Sequence, residues 1–434
     1  MTTRRLQKAI CVATLGFSAC IIRRGELTTN ADAPEDGFVP HEDAALHDVS
    51  ALDVGVPIDV YSPPDACRPS CVDDEFDNCV ADPQSCLLGC VTSGPPACKE
   101  MVFSNVDSPE VIALVRAATE SLNVTDARVV GDCATPRMTT LGQRVCLYIY
   151  SDIRITGSLT FDGTLPIILI GRDFIHVTET GVIHAEARRD TAGPGGAGPG
   201  GGVLRGGDGN HNTFDDGGGA GGGSCGSGGD GGRGGGSSGG AGGGAMASML
   251  EPLVGGSGGG SGPGAGGGAG AGGGALQLSS VREIVFGGSI YLGGGAGERG
   301  RQESINFGAG GGGGGGGSLL LEAPIMNLTG AALVTTGGGG GGGSGLTGSG
   351  SDGHDGTTFT GGGGGSGGLS ASGGAGSVEG AGIDGSSNTD GFGNGGGGGG
   401  GVGNLVLRQV SLTPAAYTSP SLAPCFFSLA LRSR

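Results

Sequence analysis

The stretch "DIRITGSLTFDGTLPIILIGRDFIHVTETGVIHAEA" (Asp152–Ala187) decides the fold. Its apolar residues alternate, and Gly, Asp or Pro breaks it into short β-rich runs that continue the preceding "CLYIY" (Cys146–Tyr150). Two runs align 22 residues apart, "IRITGSL" from Ile153 and "IHVTETG" from Ile175. Ile153 then matches Ile175, Ile155 matches Val177, and Thr156 matches Thr178. A repeat of this length with alternating apolar positions predicts successive coils of a parallel β-solenoid, each burying its inward row on its neighbours. A β-sandwich is the competing arrangement.

Further along, three apolar islands carry the same kind of run: "ALQLSSVREIVFGGSIYLGG" (275–294), "SLLLEAPIMNLTGAALV" (318–334) and "VGNLVLRQVSLTP" (402–414). Isolated strand pairs are marginal in water, so each island is expected to stack on the one before it. Leu319, Leu321, Ile325, Leu328 and Leu333 are the inward residues this predicts.

Glycine fills the space between islands. The chain has 107 Gly in 434 residues and only 20 Pro, far above the ~7% Gly of globular proteins and without the G-X-Y period of collagen. The tracts run roughly over 186–274, 296–317 and 337–401. Structureless loops of that length are uncommon inside a compact domain. They are expected either to be disordered or to form polyglycine II-like threefold helices that exchange backbone hydrogen bonds. Ordering a residue costs ~1–2 kcal/mol of backbone entropy, so the second outcome requires nearly complete pairing. It is the preferred expectation. The fold class predicted is therefore mainly β: parallel β-solenoid-like coils with long glycine-rich insertions, plus a small disulfide-rich N-terminal module.

The wording "GGGGSLLLEAPIMNLTGAALVTTGGGG" resembles the repeat of glycine-rich secreted proteins and lipoproteins of myxobacteria, some of them labelled PE-PGRS-like after mycobacterial surface proteins. The resemblance spans about 145–425. It implies a layout of strand, glycine turn, strand and glycine tract, and says little about activity; the N-terminal PE helical domain is missing.

At the start, "MTTRRLQKAICVATLGFSAC" reads as an export signal: Arg4, Arg5 and Lys8 precede a short apolar run from Ala9 to Phe17. The run is too short for a spanning helix. "FSAC" resembles the bacterial lipobox, with Phe17 where Leu is usual, which implies lipidation at Cys20 and a membrane anchor. From Gly25 to Cys98 there are fifteen Asp/Glu against one basic residue, Arg68. With a net charge of -18, this speaks against nucleic acid as a partner. The Asp-Val-Pro-rich part is expected to be an extended tether, and it resembles the stalks of myxobacterial lipoproteins.

Cys67, Cys71, Cys79, Cys86, Cys90 and Cys98 repeat C-x3-C-x7-C twice, 19 residues apart. In an exported chain this predicts a disulfide-stapled module of undetermined pairing. Zinc is the rival, but no His lies among these cysteines. Cys133 and Cys146 bracket a loop and are expected to pair, while Cys225 and Cys425 complete the even set of disulfide candidates. Ser108-Pro109-Glu110 predicts a helix start, with a helix over roughly 110–122. The segments expected are a signal peptide (1–19), a lipidated N-terminus and acidic tether (20–66), a duplicated Cys module (67–98), a helix with a disulfide-bracketed loop (99–145) and the glycine-rich β region (146–434).

Candidate chemistry is sparse. Lys8 and Lys99 are the only lysines, and no Gly-Lys-Ser/Thr exists for a P-loop. "GGSCG" (Gly222–Gly226) fits G-x-S-x-G without the strand and helix a nucleophile elbow needs. "GGDGNHNTF" (Gly206–Phe214) resembles the calcium-binding RTX nonapeptide, with His211 in place of the ligand Asp. The acids Asp73, Asp74, Glu75 and Asp77 read as a solvated turn rather than a calcium site. His176 is expected to face solvent, with His184 and Glu186 nearby, and Asp152, Asp162 and Asp173 are placed in turns. No catalytic residue, metal site or cofactor is predicted. The expectation is a non-enzymatic cell-envelope lipoprotein, at the outer membrane or cell surface, or facing the periplasm. Its role would be structural or adhesive, with cell-surface or polysaccharide contacts. The alternatives are a carbohydrate-active solenoid enzyme and a calcium-binding RTX-like repeat protein.

Overall fold

The computed structural model describes residues 6–14, 17–25, 70–72, 75–77, 84–86, 88, 90–91, 97–212, 215–246, 250–303, 306–346, 348–357, 360–367, 370–388, 393–410 and 425–433; for 6–25 and 70–85 it describes backbone only. Two units divide the chain at Asp65. In the first, β1 (Leu6–Thr14) and β2 (Phe17–Gly25) form an antiparallel hairpin with Cys11 opposite Cys20. Residues 6–14 and 17–19 of the expected signal and Cys20 fall in this hairpin, while residues 1–5 and 15–16 of the signal and 26–66 of the acidic tether lie outside the described residues.

The second unit opens with a small antiparallel sheet of β3 (Ser70–Val72), β4 (Glu75–Asp77) and β5 (Gln84–Ser85). Helix α1 (Pro109–Ala117) follows, with Ser108 Oγ accepting from the Val111 N–H at 3.2 Å. The helix is shorter than the predicted 110–122. Leu122 is instead taken up by a strand that pairs with Ile153, and that tertiary pairing outweighs helical propensity.

The strands of the main body are β6 (Leu122–Val124), β7 (Arg128–Val130), β8 (Arg137–Met138), β9 (Arg144–Ile155), β10 (Ser158–Phe161), β11 (Ile167–Val177) and β12 (Val182–His184). After the first glycine tract come β13 (Ala275–Ser280), β14 (Glu283–Phe286) and β15 (Ser289–Tyr291), then the short hairpin β16 (Gln302–Glu303) and β17 (Asn306–Phe307). The last strands are β18 (Ser318–Glu322), β19 (Ile325–Asn327), β20 (Ala332–Val334), β21 (Asn404–Gln409) and β22 (Phe426–Ala430).

The protein is mainly β, and apart from the antiparallel β8–β9 pair its large sheets are built from parallel pairs. Three ladders recur. The first aligns Cys146, Ile167, Leu276, Leu319, Leu405 and Phe426. In the second, Leu122, Ile153, Ile175, Ile284 and Met326 stand side by side. Leu159, Ile183, Ile290 and Leu333 do the same in the third. Four times over, the chain visits first, second and third ladder in that order. The pairs Ile153–Ile175 and Ile155–Val177 of the 22-residue repeat are neighbours in this register.

These columns form one apolar core. Burying each Leu or Ile contributes about 1.5–3 kcal/mol. The first ladder is covered on its other face too, where Ile168, Ile170, Leu320 and Val406 meet Met101, Phe103, Val111 and Val115. That explains "LPIILI": a strand buried on both faces reads as a continuous apolar run.

Two expectations change. Ile325 is exposed, and Met326 takes the inward place, because the register sets Met326 beside Ile284. Asp152 and Asp173 lie inside β9 and β11, at the irregularity between Gly171 and Phe174, rather than in turns; Asp162 follows the end of β10.

The glycine tracts carry their own hydrogen-bond order. Gly310, Gly313 and Gly316 donate to Gly395, Gly398 and Gly401, while Gly311, Gly314 and Gly317 donate to Glu298, Gly295 and Leu292. Gly312 and Gly315 donate to Gly260 and Ser257. Distances are 2.7 to 3.0 Å, and the direction repeats every third residue. The same segment accepts from Gly219, Gly222, Gly270, Gly273, Gly338 and Gly341. Six other segments thus surround residues 308–317, all of them buried. A Cβ built on Gly314 would stand 1.9 Å from the Ala271 carbonyl oxygen, so side chains are excluded by backbone contact itself.

Candidate functional site: a polar groove beside the third ladder

Past β12 the chain stays extended, since Ala185 and Ala187 donate to Tyr291 and Gly293 of the next pass. Alternation turns Ala185 and Ala187 into the core and leaves His184, Glu186 and Arg188 on the other side. These three line a groove of about 570 Å³ with Thr160, Asp162 and Thr164 of the preceding pass, and with Thr191, Gly196 and Gly198 of the first glycine tract. Phe161, also lining it, is 4% exposed. A tight Arg188–Thr191 bridge turns the chain at its rim.

The Glu186 carboxylate is only 6% exposed and is held by His184 Nδ1 at 3.1 and 3.2 Å, with Arg188 Nη2 at 3.4 Å. The His184 ring stacks on Tyr291, centroids 5.4 Å apart. Burial by itself pushes the Glu186 carboxyl up. The His184 hydrogen bond, a main-chain hydrogen bond and the charges of His184 and Arg188 outweigh it, and the net pKa falls below the usual carboxylate value. Glu186 is therefore a fixed anion and acceptor near neutrality, unsuited to donating a proton there.

A second polar cluster lies beneath the covering of the first ladder. Glu322 accepts from Ser104 N–H at 3.2 Å, Gln277 Nε2 at 2.8 Å and Ser279 Oγ at 2.8 Å, and also from the Ser104 hydroxyl. Arg408 stands 3.5 Å from it and 2.5 Å from Glu251. Burial pushes the Glu322 carboxyl up by more than Ser104, Arg408 and Ser279 pull it down. The cluster joins the segment before α1 to three neighbouring strands, and it is inaccessible, so it acts as a fastening.

The other predicted residues fall elsewhere. His176 is half-buried between Arg154 and Val285 in the register. Ser224 sits in an irregular turn next to Cys225, which bonds Cys425. Asp208 Oδ1 accepts from Ser261 N–H, and Asp216 Oδ1 is shared by His211 and Asn212 N–H. Cys86 pairs with Cys98, Cys133 with Cys146, and Cys90 is also disulfide-bonded. Cys71 is described by backbone alone, and Cys67, Cys79, Asp73 and Asp74 lie outside the described residues.

Thr160, Arg188 and Tyr291 escaped the sequence reading. The alternation in "HAEAR" (His184–Arg188) carried a signal for Arg188; nothing local placed Tyr291 beside His184. Among the described residues no group of three metal-ligating side chains comes together, and no helix is long and apolar enough to cross a membrane. No protein-family model, curated protein or solved structure matches the chain.

Proposed function

We propose that this chain is an exported, lipid-anchored envelope protein that displays a three-sided parallel β-solenoid bearing a polyglycine II-like layer, with a structural or adhesive role. The observation that carries the reading is the threefold hydrogen-bond rotation along Gly308–Gly317, which packs segments of all three glycine tracts together instead of leaving them as spacers. The ordered visits to three ladders support the solenoid. Disulfides at Cys86–Cys98, Cys133–Cys146 and Cys225–Cys425 suit an oxidising compartment. The basic start and "FSAC" before residue 21 support export and lipidation at Cys20.

Cell fractionation and surface labelling test the proposal. Wild-type protein should sediment with membranes and react with an impermeant amine or antibody probe on intact cells, while Cys20→Ala should appear in the soluble fraction. Retention of Cys20→Ala on membranes removes the lipid anchor from the reading. A carbohydrate-active enzyme is the second reading, favoured by the groove around Glu186. Zymography on pectin, alginate and chitin oligomers would reverse the non-enzymatic assignment if any were cleaved.

A further inference from the structure

The groove beside the third ladder has features that the scaffold role does not use. Its polar groups come in both kinds: acceptors at Glu186 and Asp162, donors at Arg188, and hydroxyls at Thr160, Thr164 and Thr191 that both donate and accept. They lie on adjacent passes of a parallel ladder, whose strands are ~4.8 Å apart. Behind Thr160 the groove is backed by the apolar core, into which Phe161 packs. A volume of about 570 Å³ falls inside the ~300–1,000 Å³ range of small-ligand clefts. Glu186 is pre-oriented by His184, whose own ring is fixed by Tyr291, so little order is lost when a ligand arrives.

A ligand matching closely spaced mixed donors and acceptors must itself carry groups that do both. Hydroxyl groups fit, and the buried anion at Glu186 would accept a charge-assisted bond from one of them. A phosphate or carboxylate ligand would meet repulsion from Glu186 and Asp162. A bare metal ion finds no third ligating side chain among the described residues.

We propose that this groove binds a neutral oligosaccharide through Glu186 and the Thr160 hydroxyl, with no bond broken. The proposal rests on the adhesive half of the reading above and supplies the chemistry of what is held.

Titration calorimetry of the full chain against pentasaccharides of glucose, mannose, galactose and N-acetylglucosamine tests it. Saturable binding to at least one is expected. Glu186→Gln should weaken it about tenfold or more, and Thr160→Val, a milder change, about two- to tenfold. Glu283→Gln on the second ladder should leave affinity unchanged. Absence of binding to all four sugars overturns the proposal, as does binding that neither Glu186→Gln nor Thr160→Val weakens. Because calorimetry does not depend on anchorage, failure here leaves the Cys20 fractionation result standing, and the converse also holds.

Discussion

At the level of single residues, glycine has two different meanings in this chain. Gly314 has none of its neighbours beyond backbone contact, and a methyl there would collide with the Ala271 carbonyl at 1.9 Å. Gly380, in the same kind of tract, has nothing within 4 Å of its would-be Cβ. Gly314→Ala should therefore destabilise the protein by several kcal/mol, at least ~3. Gly380→Ala should be neutral or stabilise by about 0.4–1 kcal/mol through the unfolded chain. Thermal melts of the two variants check this, and equal effects would contradict the packing described. Glu186 gives a pH signature. Its folded pKa lies below the unfolded value, so its stabilisation is present above the ordinary carboxylate pKa and disappears as pH falls through the lowered one. The stability difference between wild type and Glu186→Gln should stay level from about pH 7 to about pH 5 and shrink as the pH falls further in denaturant titrations.

At the level of elements, register decides what alternation alone leaves open. "SLLLEAPIMN" offers Ile325 and Met326 as rivals for the core, and Ile is the more apolar choice. The parallel pairing of β14 with β19 puts Met326 beside Ile284 and turns Ile325 outward. Slipping by one residue exchanges the faces of a strand, so a short run cannot declare its own face. The disulfide Cys225–Cys425 acts between elements as well. It spans 200 residues and fastens the glycine tract at Ser224 to the start of β22, against Val402. Replacing both cysteines with Ser should cost about 2–5 kcal/mol. Chemical denaturation of the double variant beside the wild type measures the loss, and an unchanged midpoint would mean the bond is dispensable.

At the level of the whole molecule, two kinds of order are joined. The ladders are stabilised by side-chain burial, while the glycine layer is stabilised by backbone hydrogen bonds shared among many segments. Where tracts leave the layer, acids supply the missing acceptor: Asp355 Oδ1 takes both Arg189 N–H and Ala296 N–H, and Asp352 Oδ1 takes Arg299 N–H. Hydrogen exchange should then protect 308–317 about as strongly as Ile167–Ile170, with faster exchange at the exposed Gly202–Val203 turn. Uniformly fast exchange across 308–317 would refute the layer. Much of this was legible in the sequence. Alternation in "IRITGSL" and "IHVTETG" specified the inward rows, since side chains on a strand take opposite faces whatever lies around them. Glycine abundance specified segments in which only the backbone is available for packing. What the tertiary structure alone decided is partnership: which six segments enclose Gly308–Gly317, that Glu322 meets Arg408 and Ser104, that Cys225 finds Cys425, and that His184 lies on Tyr291. Near-identical glycine tracts carry no side chains to tell one neighbour from another, so their arrangement follows from where the ladders bring each tract back, a long-range consequence that no local pattern contains.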